Sequence, residues 1–399
     1  MPAISTTYEL NKSSCEAILR NNILHFWGSK MVDFENGGFY GQVDGYDQLN
    51  READKGIILN ARILWTYAAA YRVLGDHNYR ILANRAWAYL RERFFDHEKG
   101  GVYWMLDFKG NPVDQKKQIY AQAFTIYALA EYCRIQPSER ALAEAIELFQ
   151  FTEQYSWDPE NGGYLEAFDR DWQLLEDLRL SDKDANEAKT MNTHLHVLEA
   201  YTNLYRVWPK PKLERALRKL IRLFLDRFID AQGHFHLFFD EHWRLRSHEV
   251  SYGHDIEGSW LLYEAAEVLG DRSLLAEVEV ASLKMADAAL EGLDKDGGLM
   301  NEGSAQGIID TDKHWWPQAE ALVGLINARY ISQDLKYLGY AERVWDFIQD
   351  KIIDHEQGEW HWRVSQSGEI IRSEDKAGPW KCPYHNGRAM LELIERLPH

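Results

Sequence analysis

Apolar residues recur along most of this chain at positions i, i+3, i+4 and i+7, the spacing that places them on one face of an α-helix. The pattern predicts an all-α protein. The expected helices lie at about 8–33, 60–75, 77–96, 119–136, 138–157, 190–208, 211–230, 254–270, 271–293, 314–333, 335–354 and 384–397.

A glycine-centred turn interrupts this pattern six times. The first glycine of each turn is at position 37, 100, 162, 233, 297 or 358. A repeat of roughly sixty residues holds two helices and a hairpin, and helix pairs that cannot bury both faces alone stack on their neighbours. Six pairs that close into a ring need no capping repeats. The sequence therefore predicts an (α/α)6 barrel (toroid) of twelve helices, with short hairpins at the openings of the inner helices. An open solenoid is the rival, but such arrays usually have repeats of about 33–47 residues.

Length alone would suggest two or three domains for 399 residues. No Pro/Ser-rich linker, charge block or low-complexity tract separates the repeats, and 45% of the residues are apolar. We therefore predict a single (α/α)6-barrel catalytic domain over residues 1–399.

The net charge narrows the choice of partner. With 63 acidic and 45 basic residues the chain has a net charge of −18, which disfavours binding of nucleic acid and of phosphorylated substrates.

The three cysteines are scattered along the chain, which suits a reducing compartment, and they form no disulfide framework or Cys-based zinc site. Neither a signal peptide nor a membrane span is recognisable. We expect a soluble, cytoplasmic monomer that binds a small neutral molecule and neither nucleic acid nor membrane.

Candidate chemistry is concentrated where alternate helices begin, after each turn and hairpin. These openings are rich in polar, titratable and aromatic side chains, whereas the other helix openings carry ordinary solvated charges. In a toroid the richer helices form the inner ring and their starts surround one mouth. The residues are Asn60, Arg62, Tyr120, Gln122, Asn192, His194, His196, His254, Glu257, His314, Trp315, Trp316, Gln318, His385, Asn386 and Arg388.

Helical spacing separates the histidines. His196 shares a face with Asn192, four residues earlier, whereas His194 lies about 200° away from His196, so we expect His196 to face the mouth. His254 and Glu257 are three residues apart, close enough for the carboxylate to orient the imidazole and favour its protonated form.

His385 is three residues from Arg388. This cation disfavours protonation of His385, whereas Glu257 favours protonation of His254. Two imidazoles whose neighbours drive their proton affinities apart are the arrangement expected of an acid/base pair. A capping or core role is the ordinary alternative for each histidine. A metal site is another, but no coherent set of further ligands is found, so we predict no metal. Trp315, Trp316 and Trp380 flank the polar openings and suit the CH faces of a sugar, with core packing as their alternative.

Five segments resemble the cellobiose 2-epimerases of the N-acylglucosamine 2-epimerase superfamily, in the same order from about residue 20 to the C-terminus. The resemblance implies an (α/α)6 barrel that needs no metal or redox cofactor. It also implies interconversion of glucose and mannose at the reducing end of β-1,4-linked disaccharides, through a cis-enediolate. The segments are Lys55 to Trp65, Met191 to Ala200, Gly253 to Glu257, His314 to Glu320 and Trp380 to Arg388.

The same resemblance implies roles for individual residues. His254 and His385 match the acid/base pair that exchanges the C2 proton, and His196 matches a histidine that assists ring opening and closure. Arg62 matches the cation that holds the developing enediolate. The remaining substrate-binding matches are Tyr120 and Asn192 as hydrogen-bonding neighbours, Glu257 as the partner of His254, Trp316 and Trp380 as sugar platforms, and Asp184 as a substrate-loop residue.

Three other functions fit the same pattern. An inverting glycoside hydrolase would use two carboxylates about 6.5–9.5 Å apart, for which Glu257 and Glu320 are candidates, but it has no need of clustered histidines. A non-catalytic sugar-binding toroid would keep the tryptophans without paired bases. A mannose 2-epimerase or aldose–ketose isomerase of the same superfamily could use the same histidines on a free monosaccharide.

Overall fold

The structure, a computed structural model, describes residues 8–181 and 184–398 and contains within them a helix at each of the twelve predicted segments. Residues 1–7, 182, 183 and 399, which the predicted domain includes, lie outside the described residues. We number the helices α1 to α12 in chain order. The even-numbered ones are α2 (Ile57–Leu74), α4 (Ile119–Ile135), α6 (Met191–Val207), α8 (Tyr252–Leu269), α10 (Trp315–Ser332) and α12 (Tyr384–Arg396).

The odd-numbered helices each include a π or 3-10 segment. They are α1 (Lys12–Ile18, continued by Leu19–Leu24 and His25–Ser29), α3 (His77–Tyr89, then Leu90–Phe94), α5 (Glu139–Phe151, then Thr152–Ser156), α7 (Pro211–Leu223, then Phe224–Phe228), α9 (Arg272–Ala289, then Leu290–Gly292) and α11 (Lys336–Phe347, then Ile348–Ile352). Asp76, Ser138 and Asp271 cap α3, α5 and α9 by accepting hydrogen bonds from free backbone N–H groups.

The even-numbered helices form an inner ring, in which α2, α4, α6, α8, α10 and α12 each pack against the next and α12 packs back against α2. Residues 57–70 of α2 are buried on every side, as expected for a helix enclosed by neighbours. The odd-numbered helices surround this ring and bury one face only, as α7 does with Leu213, Leu217 and Leu220. The barrel is therefore an (α/α)6 toroid, as predicted.

The ring closes where the first and last helices meet. Helix α1 packs against α12. Trp27 on α1 donates its indole N–H to Glu359 Oε2 at 2.6 Å, and Val43 pairs with Ala377 in an antiparallel bridge. These contacts join the N-terminal and C-terminal parts of the described chain and close the ring.

Short antiparallel strands connect neighbouring repeats at the openings of the inner helices. The strands are β1 (Gln42–Val43), β2 (Leu49–Asn50), β3 (Lys55–Gly56), β4 (Met105–Leu106), β5 (Pro112–Asp114), β6 (Lys117–Gln118), β7 (Ala167–Phe168), β8 (Lys189–Thr190), β9 (Phe238–Phe239), β10 (Glu249–Ser251), β11 (Glu302–Ser304), β12 (Gly307–Asp310), β13 (Lys313–His314) and β14 (Arg363–Val364). A strand that leads into an inner helix pairs with the strand that follows the next glycine turn, in β3/β4, β6/β7, β8/β9, β10/β11 and β13/β14.

In four inner helices, α4, α6, α8 and α10, the fourth residue holds the glycine turn that precedes the helix in the chain. Gln122 Oε1 accepts from the N–H of Val102 at 2.9 Å, and His194 Nε2 accepts from the N–H of Tyr164 at 2.8 Å. In the same way, Asp255 accepts from the N–H of Phe235 and Gln318 accepts from the N–H of Leu299. Gln122 and Gln318 are thus part of the scaffold, although the sequence analysis placed them around the mouth.

Among the described helices, none is long and apolar enough to cross a membrane.

Candidate active site

One cavity of ≈ 460 Å³ lies at the N-terminal ends of the inner helices. All ten predicted site residues line it. They are Arg62, Tyr120, Asp184, Asn192, His196, His254, Glu257, Trp316, Trp380 and His385.

Most of these side chains come from the second or sixth residue of an inner helix. Residues at i and i+4 share a face, so these two positions look toward the barrel axis while the fourth residue looks away. Tyr120, Asn192, Trp316 and His385 are second residues, and sixth residues include Arg62, His196 and Glu257. The predicted separation of His196 from His194 is confirmed, since His194 holds Tyr164 instead of lining the cavity.

His254 differs from this rule because it is the third residue of α8. The second is Gly253, where a Cβ would lie 2.5 Å from the indole of Trp316. His254 instead lies against that indole, with ring centroids 4.7 Å apart. Its Nδ1 atom is 2.8 Å from Ser251 Oγ. Burial lowers the pKa of His254 to about 3, so the imidazole is neutral near pH 7.

The predicted pairing of His254 with Glu257 is wrong. Glu257 accepts a hydrogen bond at 2.7 Å from Arg388 Nη2 of α12, a cation that satisfies the buried carboxylate better than a neutral imidazole does. The expected divergence of the two proton affinities is not found either. Burial, together with Arg62 and Arg388, also lowers the pKa of His385.

His385 and His196 each contact a buried glutamate through Nδ1. The His385 contact is to Glu320 Oε1 at 2.7 Å, and the His196 contact is to Glu199 Oε2 at 2.9 Å. A carboxylate can only accept, so its histidine carries the proton on Nδ1 and keeps the Nε2 lone pair free. Each ring therefore has a nitrogen suited to accept a proton in the cavity.

Arg388 is buried at the centre of three glutamates. Its Nη2 atom donates to Glu257 Oε1 and Glu320 Oε1, each at 2.7 Å, and its Nη1 atom pairs with Glu199 Oε1. Glu257, Glu320 and His385 also form a group whose ligand atoms lie within 4.8 Å of one another, the spacing of a metal site. The guanidinium already supplies positive charge to both carboxylates. This donor set therefore favours a salt-bridge cluster over a metal centre.

Arg62 lies within a cluster of aromatic rings. Its Nη2 atom donates to the hydroxyl of Tyr120 at 2.9 Å, and its guanidinium lies 4.1 Å from the ring centroid of Phe124. Within the described chain, Arg62 Nε and Asn192 Oδ1 are buried atoms without a hydrogen-bond partner. A donor and an acceptor at the cavity wall are thus available to a polar ligand.

Aromatic rings and one loop complete the cavity. Trp316 lies against His385 as well as His254, with ring centroids 5.6 Å apart, and Trp380 lies 6.0 Å from Tyr120. Trp315 and Trp362 also line the wall. Asp184 also lines the cavity, and its Oδ2 accepts from the N–H of Ser181 at 2.8 Å.

Sequence reasoning missed the partners that orient the histidines. Glu199 follows His196 by three residues, so the spacing applied to His254 would have found it. Glu320 is a sixth residue, like Glu257, but was considered only as a hydrolase carboxylate. Ser251 precedes its helix and carries no periodic signal.

Comparison with known proteins places the chain in a family. The sequence model described as N-acylglucosamine 2-epimerase (GlcNAc 2-epimerase) matches residues 38–389. A cellobiose 2-epimerase of Bacteroides fragilis is 51% identical over 97% of this chain and 99% of its own length, and one of Ruminococcus albus is 42% identical over 95% and 97%. The solved cellobiose 2-epimerase of Bacillus thermoamylovorans B4167 superposes with a TM-score of 0.92 at 43% identity, covering 97% of this chain and 99% of the other. The chain belongs to the N-acylglucosamine 2-epimerase family.

Proposed function

We propose that this protein is a sugar 2-epimerase that interconverts glucose and mannose at the reducing end of β-1,4-linked disaccharides such as cellobiose. The observation that carries the proposal is the placement of two neutral imidazoles, His254 and His385, against the same indole of Trp316 in one cavity. The names of the full-length relatives support the disaccharide substrate.

The reaction needs a proton to leave one face of C2 and another to arrive on the opposite face. His196 assists opening of the sugar ring. One of His254 and His385 then takes the C2 proton, the C–H electron pair forms the C1–C2 double bond, and negative charge develops on O1. The other histidine donates a proton to C2, the carbonyl at C1 re-forms, and the ring closes. The accepting imidazole is neutral when it takes the C2 proton. The donating imidazole, also neutral at rest, first takes up a proton from solvent, and the accepting ring afterwards releases its proton to solvent.

Arg62 is the fixed cation for the enediolate. The charge on O1 exists mainly after deprotonation, so a buried guanidinium stabilises the transition state more than the bound sugar. Asn192 and Tyr120 offer hydrogen bonds to hydroxyl groups, and Trp316 and Trp380 offer flat apolar faces to the sugar rings. Glu257 acts through Arg388, and Asp184 shapes the rim.

An inverting hydrolase is less well supported. Glu257 and Glu320 bind the same guanidinium nitrogen, closer together than the roughly 6.5–9.5 Å that such a reaction needs to admit a water between them. We further propose that residues 1–399 form a single catalytic domain, monomeric and cytoplasmic, that requires no metal or cofactor.

Product analysis in deuterated water tests the proposal. Wild-type protein incubated with cellobiose is expected to form the mannose epimer with deuterium at C2, because the proton delivered is not the one removed. His254→Ala and His385→Ala should each abolish epimerisation with the fold retained, whereas the exposed His248→Ala should behave as wild type. Parallel incubations with mannobiose and free mannose identify a monosaccharide enzyme. Near-normal turnover in either cavity variant, or no label at C2, would contradict the two-histidine epimerase.

A further inference from the structure

A single guanidinium joins the partners of two cavity histidines. Arg388 is fully buried and contacts Glu199 through Nη1 and Glu320 through Nη2. Glu199 in turn contacts His196 Nδ1, and Glu320 contacts His385 Nδ1. A continuous chain of hydrogen bonds therefore runs from His196 through Arg388 to His385.

The ionisation of these glutamates decides which ring nitrogen carries the proton. A carboxylate accepts from Nδ1–H and leaves Nε2 with its lone pair. A protonated carboxyl can instead donate to Nδ1, which moves the ring proton to Nε2 and removes the base from the cavity. The buried carboxylates would take up protons readily without a cation, because desolvation disfavours their charged form.

We propose that Arg388 is a positioning residue that keeps Glu199 and Glu320 ionised together, so that His196 and His385 both present an unprotonated Nε2 to the sugar. The inference rests on the proposed epimerase reaction and adds a residue that the motif match does not assign. Its effect on the chemistry is indirect, since it acts through the two glutamates.

The surrounding charges agree with this role. Burial opposes ionisation of Glu199, yet Arg388 and the contacts with His196 and Tyr384 hold its pKa at about 2. Burial raises the pKa of Glu320 and Glu257, with Arg388 opposing the rise. Burial lowers the pKa of His196 and His385, and the charge of Arg62 adds to this effect. The other groups that face the cluster are His254, Glu264 and Tyr384.

The test is the pH profile of kcat/KM for Arg388→Met with cellobiose. Without the guanidinium the pKa of Glu320 rises, so we expect the acid limb of the profile to move up by at least one pH unit. At pH 7 the loss should be about 10²-fold or more in kcat with little change in KM, because the wrong tautomer is populated. Activity should recover as the pH is raised. A loss that is equal at every pH would overturn the proposal.

Three further variants distinguish a positioning role of Arg388 from a general loss of protein stability. Arg396→Met removes a half-buried, ion-paired arginine of the same helix outside the cavity, and should lower stability without moving the acid limb. Arg388→Met with Glu257→Gln removes one repelling carboxylate and should move the limb back toward wild type. Arg388→Lys keeps the charge and should give an intermediate profile if Arg388→Met fails to fold.

Nitrogen-15 spectra of the imidazoles report the tautomer directly. In wild type His196 and His385 should carry the proton on Nδ1, and in Arg388→Met on Nε2 at pH 7. Unchanged tautomers in the variant would overturn the inference. Wild-type exchange of the C2 proton is measured in parallel: its absence contradicts the proposed reaction, whereas exchange with an unmoved acid limb contradicts the role of Arg388 alone.

Discussion

The three cavity histidines have different partners at Nδ1. His196 and His385 contact glutamates, whereas His254 contacts the neutral hydroxyl of Ser251. A neutral partner orients an imidazole but gives no Coulombic stabilisation to its protonated form. We therefore expect His254 to return its proton fastest once the sugar has reacted.

Ser251→Ala tests how much orientation matters at His254. Loss of the hydroxyl frees the ring and its tautomer, so we expect kcat to fall by about 10-fold, in the range seen when an orienting partner is removed, with KM little changed. Steady-state kinetics with cellobiose measure the effect. Ser259→Ala is the matched control, because its buried hydroxyl donates only to the carbonyl of Ile256 in its own helix. Equal losses in the two variants would contradict an orienting role for Ser251.

The direction in which a side chain faces was predictable where it depends only on the position of the residue in its own helix. Periodicity gave the face of His196 and motifs gave the other cavity residues, and all ten line the cavity. The partner of Glu257 was not predictable, because Arg388 reaches it from another helix at a sequence separation of 131 residues. Helical spacing reports neighbours along a helix and carries no information on contacts across the barrel axis.

At the scale of the element, the fourth residue of α4, α6, α8 and α10 holds a glycine turn, and different side chains make this contact. Gln122 and Gln318 both accept from a backbone N–H and donate to a carbonyl of the same turn residue. His194 holds its turn with Nε2 as acceptor while Nδ1 lies 2.6 Å from the carbonyl oxygen of Thr190. This arrangement requires the neutral ring with its proton on Nδ1.

His194→Gln should therefore change how stability depends on pH. Burial lowers the pKa of His194 to about 3, below its unfolded value of about 6.5. The neutral ring's contribution is complete above pH 6.5 and is lost as the pH falls toward 3. We expect similar stability for the variant and wild type at pH 7.5, and a relative gain for the variant of up to about 2 kcal/mol at pH 5.

Urea unfolding at both pH values measures this difference. His248→Gln, at an exposed histidine, is the control and should show no relative gain. A stability difference between His194→Gln and wild type that stays constant with pH would contradict a neutral His194 ring in the folded protein.

At the scale of the whole molecule, closure of the ring depends on Glu359. This fully buried carboxylate accepts hydrogen bonds at 2.6 Å from Trp27 on α1, from Lys381 and from Asn386 on α12. The glycine turn that carries it therefore joins the first and last helices.

Glu359→Gln is expected to destabilise the entire barrel. The amide leaves the ammonium of Lys381 buried without its anion, which costs about 3–5 kcal/mol. Circular dichroism and tryptophan fluorescence should report one coincident thermal transition, at a lower temperature than in wild type, because we predict a single cooperative domain. The exposed Glu369→Gln is the control. Two separated transitions would contradict one domain, and an unchanged transition would contradict the role of Glu359.

The architecture was predictable because the glycine turns recur with nearly constant spacing, and a repeated unit leaves few ways to pack. Helix bounds differ from the prediction by a few residues: α2 begins at Ile57 instead of 60. The sequence did not predict the ion pairs between a buried lysine in the strand before an inner helix and an aspartate near the preceding glycine turn, such as Lys55–Asp33 and Lys117–Asp96. Each joins two segments that are separate in sequence, and lysine is ordinarily a surface residue.

Helices α4, α6 and α10 carry their cavity side chains and their turn-holding side chain on opposite faces. A substitution at a second or sixth position changes the wall that a ligand meets while leaving the hydrogen bonds of the fourth position in place. Binding preference can consequently be altered in small steps without loss of folding. This separation makes the barrel tolerant of redesign: libraries restricted to residues such as Tyr120, Asn192 and Trp316 should yield a high fraction of folded proteins with changed sugar selectivity.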